Sequence, residues 1–424
     1  MNNASWRPRS AAVHDGTGPG QIGIVPQRQA WAAIYARLSG LVAISSEGVE
    51  MKVGGLTRSS SRLALVVAAV VLVIAGCATT EDNGDGGGGG TSGEKVIALL
   101  LPETKTTRYE AQDRPNFERR VKELCPDCKV IYSNADQDPA KQQDQAESAI
   151  TNGAKVIVIS AVDVKSASSI AARAKQSQVG MISYGRLISN ADLDYYVSID
   201  PFKVGQQQGD SLLKALQDKG KDKPSVVMIN GAPTDSNSGP YKKGAHAVLD
   251  PAGVKVVKEY DTPDWSPDKA QQEMEQAITA AGSNGFDGVY VANDGMASGA
   301  IAALKGAKID PASRPVTGQD AELAAIQRIL LGEQLMTVYQ PIRQIAETSA
   351  ELAVNMVSGK TAEAAAIAKS KVDNGQEQVP SVLLDTIVVT KDNIKDTVVA
   401  EGFLKADQIC SGPAAAACAE AGLP

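Results

Sequence analysis

The sequence predicts an α/β protein built as two doubly wound lobes. Three observations carry that expectation. Apolar runs of strand length alternate with helical patterns along most of the chain. The runs are apolar at consecutive positions, which marks strands covered on both faces and hence parallel sheets. They also outnumber what one sheet comfortably holds, so two α/β layers are the economical arrangement.

In chain order, the strand runs are 96–101, 129–132, 156–160, 180–184, 195–199, 226–229, 254–259, 288–291, 315–318, 335–339 and 382–389. Helical patterns occupy 140–152, 166–176, 203–218, 267–280 and 342–358, and an amphipathic helix precedes Cys125. The charge runs 141–144 and 218–223 read as solvated faces.

Upstream, Lys52, Arg58 and Arg62 lead into an apolar stretch at 63–75, closed by Ile74-Ala75-Gly76-Cys77. A basic segment, a short apolar core and small residues at the cut make a secretory signal peptide. The stretch falls short of the about 20 apolar residues a spanning helix needs. A cysteine directly after Ile-Ala-Gly resembles the lipobox of bacterial lipoproteins. That resemblance implies cleavage before Cys77 and a diacylglycerol on its thiol. The alternative is an ordinary signal peptide with an incidental cysteine. Since Met51 stands where a signal peptide should begin, residues 1–50 are expected to be a misassigned start or a disordered leader. Residues 51–76 are then the signal peptide, and 77–94, with Gly86 to Gly90, a flexible tether. Within it, the about 16 residues from Ala78 to Gly93 have a span of roughly 20–25 Å. The expected location is the outer face of the cytoplasmic membrane, lipid-anchored.

The net charge of −7 and pI near 5.2 argue against nucleic acid as a partner. Past Cys77 the only histidine is His246, which leaves no material for a Ser-His-Asp triad or a multi-histidine metal site. No cofactor and no metal are expected. The remaining cysteines fall as Cys125/Cys128 and Cys410/Cys418, read as two local disulfides of an oxidising compartment. Zinc would need the two pairs to meet, and the wider spacing is not a usual ligand pattern. A redox motif is weak because Cys125-Pro126-Asp127-Cys128 follows a helix and does not open one.

In doubly wound sheets, ligands bind beyond the carboxyl ends of the strands. The polar residues placed there are Arg108, Tyr109, Arg186, Asp235, Asn237, Asn293, Asp294, Gln319 and Asp320, with Trp265 after the 254–259 run. Guanidiniums, carboxylates and amides that bond twice suit hydroxyl pairs, and an indole suits the C–H face of a sugar ring. Each residue also has a plainer reading. Trp265 is a core aromatic or, in its turn before a helix, a stacking platform. Asp320 and Asn293 are helix caps or ligands. Arg108 and Arg186 are solvated or face the cleft.

At these residues the chain resembles the periplasmic sugar-binding proteins of ABC importers, xylose/arabinose class, from about Lys95 to Asp407. The stretches that carry it are Tyr184-Gly185-Arg186-Leu187-Ile188, Val291-Ala292-Asn293-Asp294-Gly295-Met296-Ala297, Gly318-Gln319-Asp320-Ala321-Glu322, Met336-Thr337-Val338-Tyr339-Gln340-Pro341-Ile342, Val379-Pro380-Ser381 and Asn393-Ile394-Lys395-Asp396-Thr397-Val398. The resemblance implies the type I periplasmic binding protein fold, a clamp hinged by three crossovers near 198–200, 339–341 and 381–385. One lobe would be 95–199 with 341–381, the other 200–340 with 382–409, followed by a disulfide-closed tail at 410–424. It implies sugar contacts at Arg108, Tyr109, Arg186, Asn237, Trp265, Asn293 and Asp320, no catalytic residue, and delivery of one monosaccharide, a xylose-like pentose or related aldose, to an ABC permease by a monomer.

Two positions depart from that family. Tyr184-Gly185-Arg186 stands where Tyr-Asp-Arg is usual, and Tyr339-Gln340-Pro341 where Tyr-Lys-Pro is usual. Losing an acid and a base together leaves no unpaired buried charge; Asp163 or Asp235 is the candidate replacement acid. Two other functions stay open: a sensor presenting the liganded clamp to a receptor, and an extracellular sugar hydrolase using Asp320 and Asp235.

Overall fold

The computed structural model describes residues 94–423. Cys77, the expected leader and signal peptide (1–76) and most of the expected tether lie outside the described residues.

The chain opens with β1 (Val96–Leu101), a π-helical turn (Tyr109–Asp113) that runs into α1 (Arg114–Leu124), β2 (Lys129–Asn134), α2 (Pro139–Thr151), β3 (Ala154–Ile159), α3 (Ser168–Gln176), β4 (Gly180–Tyr184) and β5 (Tyr195–Ile199). All six residues of β1 are buried. Ile97, Leu99 and Leu101 pack with Phe117 and Val121 of α1, while Val96, Ala98 and Leu100 pack with Ala146 of α2 and Ile170 of α3. Alternate side chains thus meet helices on opposite faces, which is why the run carries no polar residue.

Next come α4 (Pro201–Asp218), β6 (Ser225–Asn230), α5 (Ser238–Leu249), β7 (Lys255–Asp261), α6 (Pro267–Ala281), β8 (Gly288–Val291), α7 (Asp294–Gly306), α8 (Leu323–Leu330) and β9 (Thr337–Tyr339). Asp200 caps α4 by accepting from the amides of Phe202 and Lys203, with proline at the first helical position. The chain finishes with α9 (Ile342–Val357), α10 (Thr361–Ile367), β10 (Ser370–Asp373), β11 (Gln378–Leu384), β12 (Ile387–Val389), α11 (Ala406–Ile409) and α12 (Ala415–Glu420).

The first sheet has the order β10-β11-β5-β4-β3-β1-β2 and is parallel except for the β10–β11 hairpin. The second has β7-β6-β8 in parallel. Single bridges, Val289 to Val316 and Gln319 to Val338, carry it on to β9, which pairs antiparallel with β12. The expected strand at 315–318 is therefore reduced to bridges.

The chain passes between the sheets three times. It leaves β5 into α4, whose Leu212 lies against Gly288 of β8. It returns from β9 through Pro341 into α9, which packs on α1 and β3. It crosses last between β11 and β12. The single strand expected at 382–389 is thus two strands in different sheets. Asp385 and Thr386 make the switch, held to α4 by Lys203 Nζ–Asp385 Oδ1 (2.9 Å) and Thr386 Oγ1–Gln207 Oε1 (2.7 Å).

Cys125 is bonded to Cys128 and Cys410 to Cys418. The second bridge closes a terminal cap in which Ile394, Val398, Phe403, Ile409, Cys418 and Leu423 form a small core with Ile326, Ile329 and Tyr339.

Candidate functional site

Several strands of both sheets deliver polar residues that follow them to the same place. Arg108 and Tyr109 come from beyond β1, Arg186 from β4, Asn237 from β6, Trp265 from β7, Asn293 from β8 and Asp320 from the bridged segment. All seven line one cavity between the lobes, joined by Ser160, Gly185, Asp235, Tyr241, Gln319 and Gln340 among others. The lobes are closed over it. Val164 N donates to Thr234 O (3.1 Å), Leu187 N to Ser236 Oγ (2.8 Å), and Asn237 Nδ2 to Gly185 O (2.8 Å). Gln137 Nε2 donates to Asp264 O (3.2 Å), and Thr107 N to Glu322 Oε1 (3.4 Å).

Two guanidiniums organise the walls. Arg108 grips Asp113 with Nε (3.0 Å) and Nη2 (2.8 Å) and donates Nη1 to Gln340 Oε1 (3.0 Å). Gln340 hands the link on, donating Nε2 to Asp320 Oδ1 (3.0 Å). Burial works against the Arg108 charge, but Asp113 outweighs it and holds the pKa well above its ordinary value. Arg186 donates Nη1 to Ala161 O (2.9 Å) and stands with Nε 2.8 Å from Asp235 Oδ2. That Nε–H is not aimed at the carboxylate, so the pair attracts as charges without a formed hydrogen bond. Its pKa is raised too, Asp235 prevailing over burial.

Asp320 does not cap the helix that follows: α8 begins after Glu322, and the Asp320 carboxylate turns to Gln340 and Arg108. Its backbone is held at φ 97°, a strained value for a non-glycine residue. Burial raises its pKa, against the pull of Arg108. Asn293 caps α7 through Met296 N (3.0 Å) and also lines the cavity. Its neighbour Asp294 turns away, binding Gln334, Thr337 and the amide of Glu322.

Trp265 corrects one expectation. A turn residue before a helix was expected to stand apart from the core. The indole is instead only 6% exposed and belongs to the main apolar cluster. The turn has positive φ at Asp264 and Trp265, which folds the ring back onto Gly231 and edge-on to Tyr241 at 6.4 Å. The ring still lines the cavity, and its Nε1 has no partner. Asp163 is not a replacement acid; it caps its own turn through Lys165 N and Ser166 N. Asp235 is the carboxylate present.

Ser160 and Tyr241 were not foreseen. Ser160 directly follows β3 and obeys the same rule as Arg186, but it read as the end of a strand run. Tyr241 sits one turn inside α5, where sequence position signals nothing. Besides Arg186 Nε, which faces Asp235 as a charge, three cavity-lining atoms are buried without a hydrogen-bond partner: Ser160 Oγ, Trp265 Nε1 and Gln319 Oε1. Such groups are costly unless something pairs with them.

Residues 97–361 match the model of the periplasmic binding protein domain. The chain is 36% identical over 311 residues to the D-xylose-binding periplasmic protein of Haemophilus influenzae, covering 72% of this chain and 90% of that one. It is 34% identical to the Escherichia coli protein of the same description, covering 74% and 93%. Among solved structures, an ABC transporter solute-binding protein of Clostridium phytofermentans with bound β-D-glucose is similar, with TM-score 0.67, 28% identity and coverage of 74% of this chain and 100% of that one. With its two wound sheets, three crossovers and a polar cavity between the lobes, this chain belongs to the periplasmic binding protein family.

Proposed function

We propose that this protein captures one neutral monosaccharide, a xylose-like pentose or related aldose, between its lobes and delivers it to an ABC permease. The observation that carries the reading is the set of unpaired atoms in the cavity. Ser160 Oγ, Trp265 Nε1 and Gln319 Oε1 offer a hydroxyl, a donor and an acceptor. The two guanidiniums around them are already paired, Arg108 with Asp113 and Arg186 with Asp235, and the Asp320 carboxylate accepts from Gln340. A polyhydroxylated, uncharged ring answers those unpaired groups without meeting an unpaired cation. The relatives described as D-xylose-binding support the sugar class.

The two carboxylates named for hydrolysis, Asp320 and Asp235, are held by Gln340 and Arg186.

A thermal-shift screen of pentoses, hexoses and polyols on residues 94–424 tests the proposal. A ligand at 100-fold its Kd stabilises by about 2.7 kcal/mol, a visible shift. No shift with any neutral sugar or polyol overturns it. We further propose that the chain acts as a monomer anchored by lipid at Cys77. Cys77→Ser is expected to release it or leave it unprocessed; a variant still lipid-labelled at the membrane rejects the anchor.

A further inference from the structure

One part of the cavity is shaped by a missing side chain. Gly185 follows β4 with φ 70°, a conformation that favours glycine. Its position is fixed from both lobes. Its carbonyl accepts from Ser198 Oγ (2.8 Å) and from Asn237 Nδ2 (2.8 Å), and its amide donates to Val197 O (2.8 Å). A Cβ placed on Gly185 would meet a single atom within reach, Ser160 Oγ at 3.9 Å. The glycine therefore opens a bay in the cavity wall, and the bay ends on a hydroxyl.

That hydroxyl is itself unanswered. Ser160 is 1% exposed. Its amide donates to Leu100 O, and its carbonyl accepts from Gln142 Nε2. Its Oγ has no partner. The bay carries no free charge, since Arg186 beside it is paired with Asp235. A carboxylate placed there would find no unpaired cation. A bare hydrogen would leave Ser160 Oγ buried and unbonded. A short neutral arm ending in a hydroxyl satisfies both conditions.

We infer that the bay over Gly185 receives the exocyclic hydroxymethyl group of an aldohexose, with Ser160 Oγ as its hydrogen-bond partner, so that Gly185 and Ser160 set the sugar size this protein accepts. The inference rests on the sugar-binding reading above and narrows it. D-Glucose differs from D-xylose only by that group, and 6-deoxy-D-glucose keeps the carbon without its hydroxyl. These three sugars separate room from hydrogen bonding.

Titration calorimetry of each sugar against residues 94–424 and two variants is the test. The unmodified protein is expected to bind D-glucose at least as tightly as D-xylose, and 6-deoxy-D-glucose about tenfold more weakly than D-glucose, as one unpaired buried hydroxyl predicts. Ser160→Ala is expected to weaken D-glucose about tenfold, weaken D-xylose by a clearly smaller factor, and abolish the preference for D-glucose over its deoxy form. Gly185→Asn keeps a residue type that tolerates positive φ and fills the bay; it is expected to weaken D-glucose at least 100-fold and D-xylose less than tenfold. If that variant does not fold, Ser160→Ala and the deoxy sugar decide alone. Sugar binding that excludes D-glucose, or that changes equally for both sugars in Ser160→Ala, overturns this inference and leaves the sugar reading standing. Binding of no neutral sugar at all overturns both.

Discussion

The indole of Trp265 lies so close over Gly231 that a Cβ on the glycine would fall 2.1 Å from the ring. No real contact is that short, so any side chain at 231 must displace the tryptophan. With Tyr241 also edge-on to it, the ring is held in place before a ligand arrives. A platform set in advance loses little freedom on binding.

Gly231→Ala is therefore expected to weaken sugar binding at least tenfold without touching the sugar itself. Trp265 is the only tryptophan among the described residues, so its emission reports the displacement directly. An unshifted emission spectrum together with unchanged calorimetric affinity would show that the seat is not needed.

Substitution of Trp265 should separate two roles. Trp265→Ala removes a buried ring and is expected to cost about 3–5 kcal/mol of stability as well as affinity. Trp265→Phe keeps most of the apolar contact but loses the indole N–H and area. It is expected to fold with a stability loss of about 1–2 kcal/mol and to bind sugar at least tenfold more weakly. A Phe variant with full affinity would assign the residue to packing alone.

Glu322 makes stability depend on pH. Burial and the nearby Asp320 carboxylate push its carboxyl from an ordinary 4.5 up to about 7. Between those values the folded protein holds a proton that the unfolded chain has released. Stability from this group is thus full below about 4.5 and lost as pH rises toward 7. The loss is on the order of 2 kcal/mol, given about 1.4 kcal/mol for each tenfold change in proton affinity and partial access to solvent. Asp294, raised by burial, and His246, raised by its Glu259 and Asp250 partners against the opposing effect of burial, tilt the curve the same way. The quantity to measure is therefore the difference between wild type and Glu322→Gln in denaturant melts from pH 4.5 to 7. Parallel curves would remove Glu322 from the account.

Replacing Cys410 and Cys418 by serine opens the loop that closes the terminal cap. Chain-entropy arguments give at most about 2–3 kcal/mol. Because Phe403 stacks edge-on with Tyr339 at 5.1 Å, the loosening should appear as faster amide exchange from 394 to 423 before global melting. Protection equal to wild type there would show that packing, and not the disulfide, holds the cap.

Much of this was legible in the sequence because parallel strands announce themselves. Val96 to Leu101 can only be a strand buried on both faces, and the rule that ligands gather beyond such strands led to Arg108, Arg186 and Asp320 directly. What stayed hidden depended on direction more than identity. Continuous apolarity from Val382 to Val389 conceals that Asp385 and Thr386 change sheets. β10 is short and largely exposed, so it lacks the pattern that betrays a strand. The Trp265 ring turns inward through two positive φ angles, a feature no residue type there requires. Gln340 stood out as a departure, but its bridge from Arg108 to Asp320 emerges only when the two lobes bring the segments after β1 and β9 together.

The position of β11 beside β5 sets a timetable. β5 is finished at Ile199, while its neighbour ends at Leu384. A ribosome that has made the first half of the chain has made a sheet with one raw edge. The apolar face that α9 will cover is also still bare. Neither lobe can complete its core until nearly the whole polypeptide exists. Such a chain lacks a finished core through most of its synthesis and is exposed to aggregation if left alone. The same wiring that lets two lobes close on a small molecule therefore ties completion of both cores to the last strands of the chain.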